Sequence, residues 1–206
     1  MTYSVYMSTI DKPTAFVNSQ KMDSTKRDRV LTAALDVFLR YGFKRVTMND
    51  IAAAAGISRP ALYLVFRSKE EIFKSVYERW VKETLTEIEN KIERLKTPEE
   101  KLRAAFEFWT VRPFERMRAS SEAAELLETT FGFAQDSVNQ AYRSFEKILL
   151  PVLKSHPKFQ GAKTKISAEK TAHLLSGAVR GFKVVAKDAR EIRALVNDLL
   201  VLLLEK

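Results

Sequence analysis

From residue 24 onward, stretches in which apolar residues recur every three or four positions alternate with short polar breaks, and most of them open on Ser, Thr or Asp. That spacing gathers apolar side chains on one face of a helix, while an oxygen at its start accepts the free N–H groups of the first turn. Thr25 with Asp28 predicts a helix of about four turns whose apolar face is Leu31, Ala34, Leu35 and Phe38, ending at Tyr41-Gly42. Thr47 with Asp50 opens a short Ala-rich helix through Ile51 to Ala55, and Gly56 supplies a left-handed stop. Ser58 caps a third helix, which tolerates Pro60 because the N–H that proline lacks has no intrahelical partner in a first turn. Ser68 with Glu71 then opens a long helix to about Leu95, with Ile72, Val76, Trp80 and Leu85 on its apolar stripe.

Further on, Thr97 with Glu100 caps a helix that Pro113 is expected to end, and Ser121 and Asp136 begin two more. Residues 154–165, with His156-Pro157 and Gly161, read as a loop. Ser167, and Asp188 with Glu191, open the last two helices. Residues 1–22 show neither helical nor strand period and read as a mobile tail. With 6 Gly and 6 Pro in 206 residues there is little turn chemistry for a many-stranded sheet, so the expected class is all-α.

Composition narrows the chemistry. With no cysteine, disulfides, thiolate catalysis and cysteine metal sites are excluded, which suits a reducing cytoplasm. The net charge of +9 and a pI near 9.7 point to a polyanionic partner, nucleic acid or an anionic membrane surface. The longest apolar run, Leu199 to Leu204, is far short of the ~18 residues of a spanning helix. His156 and His173 lack metal-ligand spacing, and there is no H-E-x-x-H or G-x-S-x-G. Ser144-Phe-Glu-Lys147 matches S-x-x-K, which on a helix reads as a solvated edge. No enzyme, metal or cofactor is therefore expected.

A short helix, a tight turn containing Gly and a second short helix form the helix-turn-helix pattern, although two short helices in a bundle look much the same. Charge favours the first reading: residues 1–70 hold 11 Lys/Arg against 6 Asp/Glu, an excess of +5 around the motif. Beyond spacing, Tyr41-Gly42-Phe43, Thr47, Asp50-Ile51-Ala52, Ala55-Gly56-Ile57-Ser58, Leu62-Tyr63, Phe66 and Ser68-Lys69-Glu70 resemble the tetracycline-repressor (TetR) family over residues 24–72.

That resemblance implies an all-α homodimeric regulator, usually a repressor, with a helix-turn-helix domain at 23–70 after a tail at 1–22 and a helical ligand-binding and dimerisation domain at 71–206. It implies phosphate contacts from Thr47, Ser58, Tyr63 and Lys69. Base contacts are expected from Arg59, whose guanidinium suits guanine, from Pro60, Ala61 and Leu64, which suit a thymine methyl, and from Asn49. Leu64-Val65 departs from relatives that carry His or another polar residue there. A cavity for a small-molecule effector is implied among the middle helices, with Phe106, Trp109, Met117, Leu127, Phe131, Tyr142 and His173 as candidate lining. The dimer is expected on the last two helices, through Leu175, Val179, Phe182, Leu195, Leu199 and Leu203, with Gly177 and Gly181 allowing close approach. The expected protein is thus a cytoplasmic regulator of a palindromic operator. The rival is a helical module for lipid or an acidic membrane surface, which leaves the placement of the capping and turn residues unexplained.

Overall fold

A computed structural model of the protein describes residues 14–118, 122, 125–126, 132, 134–160 and 166–204, with side chains from Thr25 on, and all regular structure among them is helical. The elements are α1 (Thr14–Tyr41), α2 (Met48–Ala54), α3 (Arg59–Tyr63), α4 (Lys69–Glu93), α5 (Pro98–Phe106), a π-helical turn (Glu107–Val111) and α6 (Arg112–Met117). After them come α7 (Gln135–Ser155), a 3₁₀ turn (Pro157–Phe159), α8 (Ala168–Val185) and α9 (Ala189–Leu204). The helix start expected at Ser121 lies outside the described residues.

The caps stand where the sequence places them. Thr47 accepts from the Asp50 N–H at 3.3 Å while the Asp50 carboxylate accepts from the Thr47 N–H at 2.8 Å. Ser58, Ser68, Thr97 and Ser167 each accept from the third residue of the helix they open, and Asp188 accepts from the N–H groups of Arg190 and Glu191. Gly42 and Gly56 terminate α1 and α2 with φ of +76° and +65°, a region that side chains with a Cβ avoid.

Two expectations fail. Helix α1 begins at Thr14, inside the stretch read as a tail, and Thr25 lies within it instead of capping it. No Gly or Pro interrupts residues 14–41, so nothing in the backbone chemistry stops the helix there. Nor does Pro113 end a helix: α5 runs into the π-helical turn and on into α6, where Pro113 occupies the first turn. The wider turn makes room for the proline ring against the carbonyl four residues back, the clash that normally breaks a helix.

Two hydrophobic cores result. The first joins Val30, Leu31, Ala34 and Phe38 of α1 to Ile51, Ala52, Leu62 and Phe66, and to Ile72, Phe73 and Val76 of α4. Phe38, Phe43 and Phe73 meet with ring centroids 5.1–5.6 Å apart at its centre. The second packs Val81 and Ile88 of α4 with Leu102, Phe106, Trp109, Phe145, Leu149, Val179, Ile192 and Leu200. Helix α4 therefore serves both cores, and the first unit draws on side chains beyond residue 70.

Candidate nucleic-acid interface and the cavity behind it

Helices α2 and α3 bury one face and leave the other free. Ile51, Ala52 and Leu62 are in the core, whereas Asn49, Ser58, Arg59, Pro60, Tyr63 and Leu64 are exposed and Ala61 is half-buried. Leu64, 86% exposed at the end of a five-residue helix, is the apolar side chain with least cover in this unit. The guanidinium of Arg59 lies 5.6 Å from the Tyr63 ring centroid, which steadies a long side chain without occupying its N–H donors. Lys44 and Arg45, just before α2, and Arg67, just after α3, are exposed as well.

Much of the basic excess is committed inside the fold. Arg27 donates to Ser75 Oγ at 2.9 Å, Arg29 to the Ala55 carbonyl at 3.0 Å and Arg79 to the Asp28 carbonyl at 3.2 Å. Lys69, expected at a phosphate, is also bonded within the fold: its ammonium donates to the carbonyls of Phe43 and Val46 at 2.8 Å each and lies 4.3 Å from the Phe43 ring centroid. It pins the turn that leads into α2. Thr47 also has less to offer than expected, because its hydroxyl donates to Asp50 Oδ2 at 2.7 Å. Those Thr47 donors hold the Asp50 carboxyl below the usual carboxylate range.

The same turn is held from the other side. Glu125 accepts from the Lys44 N–H at 2.8 Å, and Glu122 lies 3.9 Å from Arg45. A Cβ at Gly42 would stand 2.7 Å from Glu125 Oε2 and would push that carboxylate off the turn, while the positive φ by itself favours glycine there.

Behind this unit lies a cavity of about 250 Å³. Trp109, Met117 and Tyr142 line it, together with Leu35 and Leu39 of α1, Phe73, Val76, Tyr77 and Trp80 of α4, Leu126, Val138 and Lys183. Phe106 does not: it is fully buried, edge-on to Phe145 at 5.4 Å, because its position on α5 faces the second core. His173 does not either, since it sits on the outer face of α8 and meets Glu146 at 3.1 Å in solvent. Leu127 and Phe131 lie outside the described residues. Lys183 was the readable omission: Ala172, Leu175, Ser176, Val179 and Ala186 form the buried stripe of α8, and position 183, four after Val179, falls on it.

The expected dimer surface also shifts. Leu175 and Val179 are buried in their own chain's core and are not available to a second copy. The outward apolar side chains are instead Leu174, Val184 and Val185 on α8 and Leu202 on α9, with Phe182, Leu195, Leu199 and Leu203 half-buried beside them. An added Cβ at Gly177 or Gly181 would meet nothing within 4 Å, so the outer face of α8 is open. No described helix is long and apolar enough to cross a membrane, and no group of metal-ligating side chains occurs among the described residues.

Comparison with known proteins agrees with this geometry. The family model described as bacterial regulatory proteins, tetR family, matches residues 30–76, from Val30 of α1 to Val76 of α4, both in the first core. The HTH-type transcriptional activator FasR of Mycolicibacterium smegmatis is 34% identical over 82 residues, 40% of this chain and 37% of its own length. The chain spans little more than a third of such curated relatives. Among solved structures, a TetR transcription regulator from Haloarcula marismortui superposes with a TM-score of 0.68 at 18% identity, covering 85% of this chain and 95% of that one. Thermus thermophilus FadR, a TetR-family repressor in complex with lauroyl-CoA, superposes with a TM-score of 0.62 at 19% identity, covering 87% and 93%.

Proposed function

We propose that this chain, whose residues 30–76 match the tetR family of bacterial regulatory proteins, is a cytoplasmic transcriptional regulator that binds duplex DNA as a homodimer. The observation that carries the reading is the exposed face of α3: Arg59, Pro60 and Leu64 project from a helix whose opposite side, Leu62, is fully buried. Arg59 is suited to guanine and Leu64 to a thymine methyl, while Lys44, Arg45 and Arg67 are placed for phosphates. A second copy of the chain covers the open face of α8 and α9, where Leu174, Val184, Val185 and Leu202 are exposed. Twofold symmetry then sets two recognition helices on half-sites about one DNA turn (~34 Å) apart or a multiple of it, so the operator is an inverted repeat.

Regulation is by repression relieved by a small molecule. An occupant of the cavity presses on Leu35 and Leu39 of α1, on α4 and on Leu126, whose neighbour Glu125 holds the turn before α2. Such a ligand biases the spacing of the two recognition helices, and reciprocity requires DNA to weaken ligand binding by the same factor, typically ~5–150-fold. The test is selection of bound duplexes from a random pool, followed by salt titration of the selected site. An inverted repeat bound with a steep linear dependence of log K on log salt supports the reading. Sedimentation with anionic vesicles without any duplex preference would favour a membrane-surface role and sink it.

A further inference from the structure

We propose that the cavity is built for a small amphipathic anion, a carboxylate or its equivalent on an apolar body, with the ammonium of Lys183 as its counter-ion. This rests on the ligand-responsive reading above and specifies the chemistry of the ligand.

The position of the lysine is unusual. Its stem is partly exposed, but its Nζ reaches inward to lie 5.6 Å from both the Trp109 and the Tyr142 ring centroids. Among the described residues it donates one hydrogen bond, to the Trp109 carbonyl at 3.2 Å. The residue four positions on, Pro113, has no N–H to donate to that carbonyl. An ammonium has three donors, and no described carboxylate lies within ion-pair distance of this one. The cation is therefore held at the wall by one backbone oxygen and by ring faces, with bonding capacity left over.

The remaining lining has the matching sign. Lys183 and Arg116 are the charged side chains among the described residues that line the cavity, and none of those described is acidic. Arg180, on the same helix as Lys183, lies 5.5 Å from the other ring, Tyr142, and donates to Asn139. The phenols of Tyr77 and Tyr142 are kept protonated by burial, the latter pushed up to about 12, so both are donors. Trp109 Nε1 is buried without a hydrogen-bond partner among the described residues and belongs to the same wall. Burial pulls the Lys183 ammonium down to about 8, which leaves it mostly charged at neutral pH and in need of a counter-ion. A cationic ligand would meet two like charges here, and a neutral one would leave Lys183 uncompensated. The volume, about 250 Å³, is below the ~300–1,000 Å³ of pockets for drug-sized ligands, so the apolar body is short, on the order of ten carbons.

The probes are decanoate, decanamide and decylamine, titrated into the full-length protein without DNA and read by calorimetry and by the fluorescence of Trp80 and Trp109. Decanoate should bind roughly tenfold to a hundredfold more tightly than decanamide, the usual range for a hydrogen bond to a charged group, and decylamine most weakly. In Lys183→Met the first two should agree within about twofold, while Lys183→Arg should retain the preference. The wild-type advantage of decanoate should shrink as pH rises above about 8. Circular-dichroism melting checks that Lys183→Met folds, which is expected because it replaces a poorly compensated cation by an apolar chain of similar length. Equal binding of decanoate and decanamide by the wild type overturns the proposal, and so does an anion preference that survives in Lys183→Met, or no binding of any probe at millimolar concentration. Because DNA is absent, failure to bind any duplex would sink the regulator reading and leave this pairing to stand or fall by itself.

Discussion

Lys69 separates two roles that a sequence motif merges. If its ammonium fixes the turn before α2, replacing it by Met removes two 2.8 Å charge-assisted hydrogen bonds to the Phe43 and Val46 carbonyls and a cation–ring contact at 4.3 Å. A hydrogen bond to a charged group contributes ~1.5–3 kcal/mol at best, and solvent reaches this half-buried side chain, so the two together should stabilise the fold by about 2 kcal/mol. For a chain of this size that lowers the melting temperature by about 4–8 °C. Urea unfolding should show a lower midpoint at unchanged slope. Affinity for the selected duplex should fall because α2 is no longer held, but the slope of log K against log salt should stay as in the wild type. A direct phosphate ligand behaves in the opposite way: its loss lowers the slope by ~1 and leaves stability alone. That second pattern would refute the positioning role.

Arg59→Ala should cost ~1–3 kcal/mol at one base position and relax the preference there, which selection on the variant would read out; an equal loss on every duplex would make Arg59 a phosphate contact instead. Leu202→Glu, on the exposed side of α9, should yield a folded monomer in analytical ultracentrifugation, and a dimer that survives it would move the interface elsewhere. For Lys183, depressed in the folded state from 10.5 to about 8, the unfolded chain binds more protons between those values. Stability should accordingly rise with pH from about 8 until tyrosine ionisation intervenes near 10, by no more than about 3 kcal/mol, and Lys183→Met should abolish the rise in urea titrations.

What was legible in the sequence was what short-range chemistry decides. The Thr47/Asp50 and Thr97/Glu100 pairs, Ser58, Ser68 and Ser167 announced their helices because a cap acts within three residues of itself. Pro113 misled for a related reason: a π-helical turn is a response to packing on both sides, and no local pattern announces it. The site residues that were misplaced are those whose role depends on which way a face turns. Leu174 and Leu175 are adjacent and equally apolar, yet one is outside and the other in the core. The ammonium of Lys69 is held by the carbonyls of Phe43 and Val46, more than twenty residues away, which no local pattern announces, whereas the place of Lys183 on the stripe of α8 was there to be read.

Helix α4 gives its first two turns to one core and the rest to the other, with Val76 and Val81 on either side of the division. A DNA-reading module cut at residue 70 would leave behind Ile72, Phe73 and Val76, and with them the ring that closes the Phe38–Phe43–Phe73 trio. Chimeras that exchange recognition units between such proteins should therefore be spliced inside α4, after Val76, with Glu125 carried over or matched by the new host. Joined at the visually obvious break before Ser68, the halves would each keep their helices and lose the means to recognise one another.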